Sequence, residues 1–131
     1  MTNLKRILLV DNDSYLRSLL REFLLEDIAN IDIDDFPNPQ AFLEKNLNFD
    51  GYSLVLTDLM MPIMDGFEFG KHLREKLYVG PIIIMSGKFF GIEIDHYRKK
   101  FEQEGLTNFY LYGKGINLGN ITEMIKELIN E

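Results

Sequence analysis

The chain has 131 residues, a hydrophobic fraction of 46%, a charged fraction of 27% and a formal net charge of −7. That length suits one domain with a single core, and the composition is ordinary for a globular protein. The absence of cysteine excludes disulfides, thiol chemistry and Cys-ligated zinc, and the acidic balance argues against a nucleic-acid surface.

MTNLKR is followed by the short apolar run Ile7–Val10, too brief for a signal peptide or a membrane span, so a cytoplasmic location is the default expectation. The run reads as a first strand ending in Asp11-Asn12-Asp13. Ser14 can cap a helix that carries Leu16, Leu19, Leu20 and Phe23 at helical spacing. Asp13 reads as a helix-start acid, favourable beside the positive end of the helix dipole. Ile31 and Ile33 alternate with acids before Phe36, as in a short strand with one wetter face. Asn38-Pro39 places a cap and a first-turn proline ahead of a short helix over Pro39–Lys45. Asp50-Gly51 is a turn, and Leu54–Leu56 leads a buried strand to Asp58.

A helix is expected from about Gly66 to Lys76, broken by Gly80-Pro81, with a fourth strand over Ile82–Met85 ending in Ser86-Gly87. In Lys88–Thr107 the helical part is Asp95–Glu104, which Gly105 can stop. Phe109–Tyr112 is a fifth strand running into Gly113-Lys114-Gly115. Asn120 with Glu123 makes a capping pattern for a last helix with a stripe of Ile121, Met124, Ile125, Leu128 and Ile129. Strands alternating with helices predict an α/β fold: a doubly wound five-stranded parallel sheet with about five helices on both faces. In such a sheet the strand ends share one edge, where ligands bind. Asp11 and Asn12, Asp58, Ser86 and Lys114 all fall there, far apart in sequence.

The stretch Leu54–Gly66, LVLTDLMMPIMDG, resembles the phosphoacceptor strand and loop of the receiver domains of two-component response regulators. Their pattern is an apolar strand, the acceptor Asp, two variable residues, Met-Pro, then a turn with Asp-Gly. Asp58, Met61-Pro62 and Asp65-Gly66 match it position for position. The resemblance covers essentially the whole chain and implies one receiver domain over residues 1–131 with the flavodoxin-like receiver fold. It makes Asp58 the nucleophile that takes a phosphoryl group from a sensor histidine kinase or a histidine phosphotransfer protein. The same resemblance implies that Asp11, Asn12, Asp58 and the backbone carbonyl of Met60 would form the Mg²⁺ site. Ser86 and Lys114 would bind the phosphoryl oxygens, and Ser86 with an aromatic of the fifth strand, assigned to Tyr110 ahead of Phe109 and Tyr112, would form the switch. The implied output is a downstream protein or an excised output domain, with a phosphorylation-dependent homodimer as a further partner and neither nucleic acid nor membrane bound by this chain.

Elementary chemistry agrees with those roles. Phosphoryl transfer to a carboxylate brings two anions together, so a divalent cation and a fixed ammonium are needed to neutralise the oxygens. Such a chain is not an enzyme in the ordinary sense, since it catalyses only its own phosphorylation and dephosphorylation.

The sequence departs from the family pattern in three places. Asn12 replaces the second acid, Gly115 follows the lysine where proline is usual, and the interval from Ser86 to Lys114 is longer than the family norm. These departures favour an alternative, a pseudo-receiver acting as a phosphorylation-independent interaction module. A Mg²⁺-dependent phosphohydrolase with an Asp nucleophile generally has a second acid two residues on. That position is Met60, so the acid–base partner is missing. His72, His96 and the run HYRKK at His96–Lys100 read as solvated helix faces.

Overall fold

The computed structural model describes residues 4–45, 49–115 and 118–130. Five strands, β1 (Lys5–Val10), β2 (Ile31–Phe36), β3 (Leu54–Asp58), β4 (Ile82–Ser86) and β5 (Phe109–Gly113), alternate with helices α1 (Ser14–Asp27), α2 (Pro39–Glu44), α3 (Gly66–Glu75), α4 (Gly91–Gln103) and α5 (Leu118–Ile129). A single 3₁₀ turn at Phe49–Gly51 precedes β3. All strand pairs are parallel, in the order β2-β1-β3-β4-β5. The expected α/β architecture is the one observed.

The apolar runs of β1, β3 and β4 are buried on both faces, and alternation divides their side chains between two layers. Leu8, Val10, Val55, Ile82, Ile84 and Leu111 pack under Phe42 of α2, Phe69 and Leu73 of α3, and Phe101 of α4. Ile7, Leu9, Leu54, Leu56, Ile83 and Met85 pack under Leu20 and Leu24 of α1 and Ile121 and Ile125 of α5. Edge strand β2 is half-wet, as its alternation predicts: Ile31 and Ile33 are buried while Asp32 is exposed.

Helix boundaries follow local capping. Asp13 caps α1, its carboxylate accepting from the Tyr15 and Leu16 N–H groups. Ser14, expected as the cap, is instead the first helical residue, one position inside Asp13, which caps as well as serine and bonds two of the first amides. Asn38 caps α2 through Ala41 N–H, as its Asn-Pro signal predicts. Asp65 and Glu68 close a reciprocal capping box on α3. α4 begins four residues ahead of the expected Asp95, at Gly91, with no side-chain bond from its cap residue Phe90. Asn120 lies inside α5, described from Leu118, so the Asn120–Glu123 pattern does not start that helix.

Candidate functional site

The parallel register brings the functional residues to one edge. Val10 pairs with Thr57, so Asp11 follows alongside Asp58, and Ser86 pairs with Gly113, which places Lys114 just beyond it. Asp11 is fully buried, Asp58 is 6% exposed and Ser86 is 1% exposed. The Lys114 ammonium lies 3.2 Å from Asp11 Oδ2 and 3.1 Å from Asp58 Oδ1, bridging the two carboxylates. Residues more than a hundred positions apart in the chain thus form one charged cluster with a formal charge of −1.

Burial is the largest influence on the Asp58 carboxyl and pushes its pKa above the ordinary value. Lys114 opposes that shift and Asp11 adds to it. Burial works against the Lys114 ammonium, but the two carboxylates more than offset it and hold its pKa above that of a free lysine.

Each neighbouring group is held in place. Asp13 N–H donates to Asp11 Oδ1 at 2.9 Å, which leaves Oδ2 for the lysine. Leu59 N–H donates to Met85 O at 2.8 Å, tying the loop after Asp58 to β4. Gly66 packs on β3 itself: a Cβ there would stand 2.2 Å from the Asp58 carbonyl oxygen. Within that loop Met64 N–H bonds Pro62 O across Ile63, which has φ +73°. This tight three-residue turn throws Ile63 outward, 90% exposed. Ser86 Oγ accepts from Lys88 N–H at 3.1 Å, a turn that leaves the hydroxyl proton available to donate.

Of the residues expected at the site, Asp11, Asp58 and Lys114 are in contact, and Ser86 ends the adjacent strand. Asn12 is exposed at the rim, and Asp13 is committed to capping α1. Met60, 54% exposed, stands in the loop two residues beyond Asp58. Tyr110 is not brought to the site. It pairs with Ile83, about 10 Å down the strand from Ser86 at ~3.3 Å per residue. Alternation also turns it to the Tyr112 face, away from Ser86, and its hydroxyl meets Asn108. The residue of β5 buried on Ser86's side of the sheet is Leu111. Gly115 has φ +88°, a left-handed conformation that glycine permits, and the described residues contain no cis peptide bond. Sequence reasoning overlooked Arg17, whose guanidinium donates to the Asp11 carbonyl oxygen at 2.6 Å. The available signal was a basic residue one turn after the helix cap, facing the acid-rich β2.

The family model of the response regulator receiver domain matches residues 7–125. The chain belongs to that family. The receiver is 40% identical over 87 residues to the transcriptional regulatory protein ResD of Bacillus subtilis, covering 66% of this chain and 35% of ResD. It is 33% identical over 116 residues to FixJ of Bradyrhizobium diazoefficiens, covering 82% of this chain and 55% of FixJ. The receiver thus spans about a third to a half of these curated relatives. Among solved structures it resembles the response regulator TrrA of Thermotoga maritima in complex with Mg²⁺–BeF. That likeness has a TM-score of 0.72 and 29% identity, over 95% of this chain and 99% of TrrA. Receiver domains of response regulators are modules of two-component systems. No helix among the described residues is long and apolar enough to cross a membrane.

Proposed function

We propose that this receiver is a phosphorylation-dependent signalling switch in which Asp58 accepts a phosphoryl group from a histidine kinase or a histidine phosphotransfer protein. The observation that carries the reading is the Lys114 bridge, which puts a fixed ammonium 3.1 Å from the Asp58 carboxylate. In the transfer an Asp58 oxygen attacks phosphorus, the P–O bond forms, and the P–N bond to the donor imidazole breaks with its electron pair leaving on nitrogen. Lys114 and the Ser86 hydroxyl then bind phosphoryl oxygens.

The donor set fits Mg²⁺. Asp11 and Asp58 offer carboxylate oxygens, the Asn12 side chain and the Met60 carbonyl are further oxygen donors, and Mg²⁺ takes oxygen ligands with one or two carboxylates. When bound, the ion supplies neutralising charge to the phosphoryl oxygens. The protein catalyses its own phosphorylation and dephosphorylation only, and its output is a changed face for a downstream protein, an output domain or a second copy.

Intact-mass spectrometry with acetyl phosphate and Mg²⁺ tests the reading. One phosphoryl mass is expected on the wild type and none on Asp58→Asn. Addition that persists in the variant refutes the assignment. An unmodified wild type leaves the phosphorylation-independent interaction module suggested by Asn12 and Gly115.

A further inference from the structure

Arg17, in the second turn of α1, has a side chain only 17% exposed and makes two contacts in different directions. Its Nε donates to Asp35 Oδ2 on β2 at 2.9 Å, and one of its terminal nitrogens donates to the backbone carbonyl of Asp11 at 2.6 Å. On the amide side of the same residue, Asp11 N–H donates to Phe36 O at 3.2 Å. Asp11 is therefore gripped at its amide by β2, at its carbonyl by Arg17, and at Oδ1 by Asp13 N–H.

The carbonyl matters because the peptide unit is planar. Fixing the direction of Asp11 C=O fixes the plane shared with Asn12, and with it the backbone torsions that aim both side chains. The bond carries full charge on its donor, which makes it stronger than an ordinary backbone bond. The planar fork of arginine is pre-organised to reach a carboxylate and a carbonyl that lie in different directions, whereas the ammonium of a lysine must be held there at the end of a flexible stem.

We infer that Arg17 is the positioning residue of the acid edge, holding the Asp11–Asn12 peptide in its cation-binding orientation, with Asp35 as its anchor. The inference rests on the Mg²⁺ reading above. The fold supplies an internal control in Arg21, one turn further along α1. Arg21 also bonds Asp35, at 3.1 Å, and the Ile33 carbonyl, at 2.6 Å, and so ties α1 to β2 on its own account.

Mg²⁺ affinity by isothermal calorimetry, urea unfolding, and amide exchange of the metal-free protein decide the matter for Arg17→Gln, Arg17→Lys, Asp35→Asn and Arg21→Gln. Arg17→Gln is expected to raise the Mg²⁺ Kd about tenfold, the usual cost of losing a residue that orients a metal ligand. Asp35→Asn should fall between it and the wild type, Arg17→Lys should recover part of the loss, and Arg21→Gln should lower the urea midpoint without moving the Kd. If Arg17→Gln and Arg21→Gln lower the midpoint alike and neither changes the Kd, Arg17 is only a tie between α1 and β2 and the proposal is overturned. If the wild type takes up no Mg²⁺, the metal reading fails by itself and the exchange data judge the positioning role. Faster exchange at Asp11 and Asp13 in Arg17→Gln than in Arg21→Gln upholds it, and equal rates overturn it.

Discussion

At the scale of the residue, Asn12 leaves the site with two carboxylates against one ammonium, so the mutual repulsion that a third acid would add is absent. Asn12→Asp is expected to tighten Mg²⁺ and to lower stability without metal. Each effect should be about 1 kcal/mol at most, because the position is exposed and the effective dielectric there is high. Asp13→Asn should leave both nearly unchanged, since Asp13 caps α1 and asparagine caps as well. Calorimetric Mg²⁺ titration beside thermal unfolding of the two variants checks this pair, and a collapse of Mg²⁺ binding in Asp13→Asn alone would exchange their roles. Asp58 yields a pH dependence. Its pKa is raised on folding, so between its unfolded and folded values the native state binds more protons and stability falls as pH rises. Ionised Asp58 therefore costs the metal-free protein stability at neutral pH. Asp58→Asn should unfold at higher urea than the wild type at pH 7, and the gap should close on acidification below the Asp58 pKa. A gap that widens toward acid would reverse the sign of this account.

At the scale of the element, β3 is set by what leans on it. Gly66 opens α3, donates its N–H to Leu59 O at 2.9 Å, and leaves no room for a methyl group over the Asp58 carbonyl. Gly66→Ala should force β3 and α3 apart at a cost of about 1–3 kcal/mol, the range for overpacked sites. It should also slow acetyl-phosphate labelling of Asp58. An unchanged urea midpoint and labelling rate would show that the helix start gives way freely. The elements differ in how plainly the sequence announces them. β1, β3 and β4 are continuous apolar runs because both their faces are covered, and β2 shows the alternation of a half-wet edge. α4 was foreseen only from Asp95 onward. Ile94 and Tyr97 pack on the core beside Phe101, its sole fully buried residue among those described, but Ile92 is 88% exposed and no side chain bonds the first turn, so no cap marks its start and the stripe is thin. At the site, Asp58 was legible through the Met-Pro and Asp-Gly spacing around it. Arg17 was marked only by its place one turn after the helix cap and by the acids of β2, because its bond to the Asp11 backbone carbonyl leaves no pattern of its own in the side chains. Tyr110 is the aromatic that the resemblance favours among three on β5, and strand alternation sends it to the face opposite Ser86.

At the scale of the whole molecule, the strand order makes most pairings local and one of them distant. Lys5 meets Ile31, Val55 meets Ile82 and Ile82 meets Phe109, each across a single crossover, while Ile7 must find Leu54 across the whole of α1, β2 and α2. Closing that longest loop brings Asp11 beside Asp58, whereas Lys114 joins them only when β5 docks on the far edge. If the chain folds from its amino-terminal side, two carboxylates come together before their own cation arrives. A divalent ion in solution can fill that gap, and so can act on the path to the native state as well as on its final stability. Stopped-flow refolding with and without Mg²⁺ reads this directly. Faster refolding in Mg²⁺ means that the acid pair closes ahead of the barrier, while an effect on unfolding alone means that it closes behind. In the first case the divalent ion serves as a folding aid, lent to the chain until Lys114 takes its place.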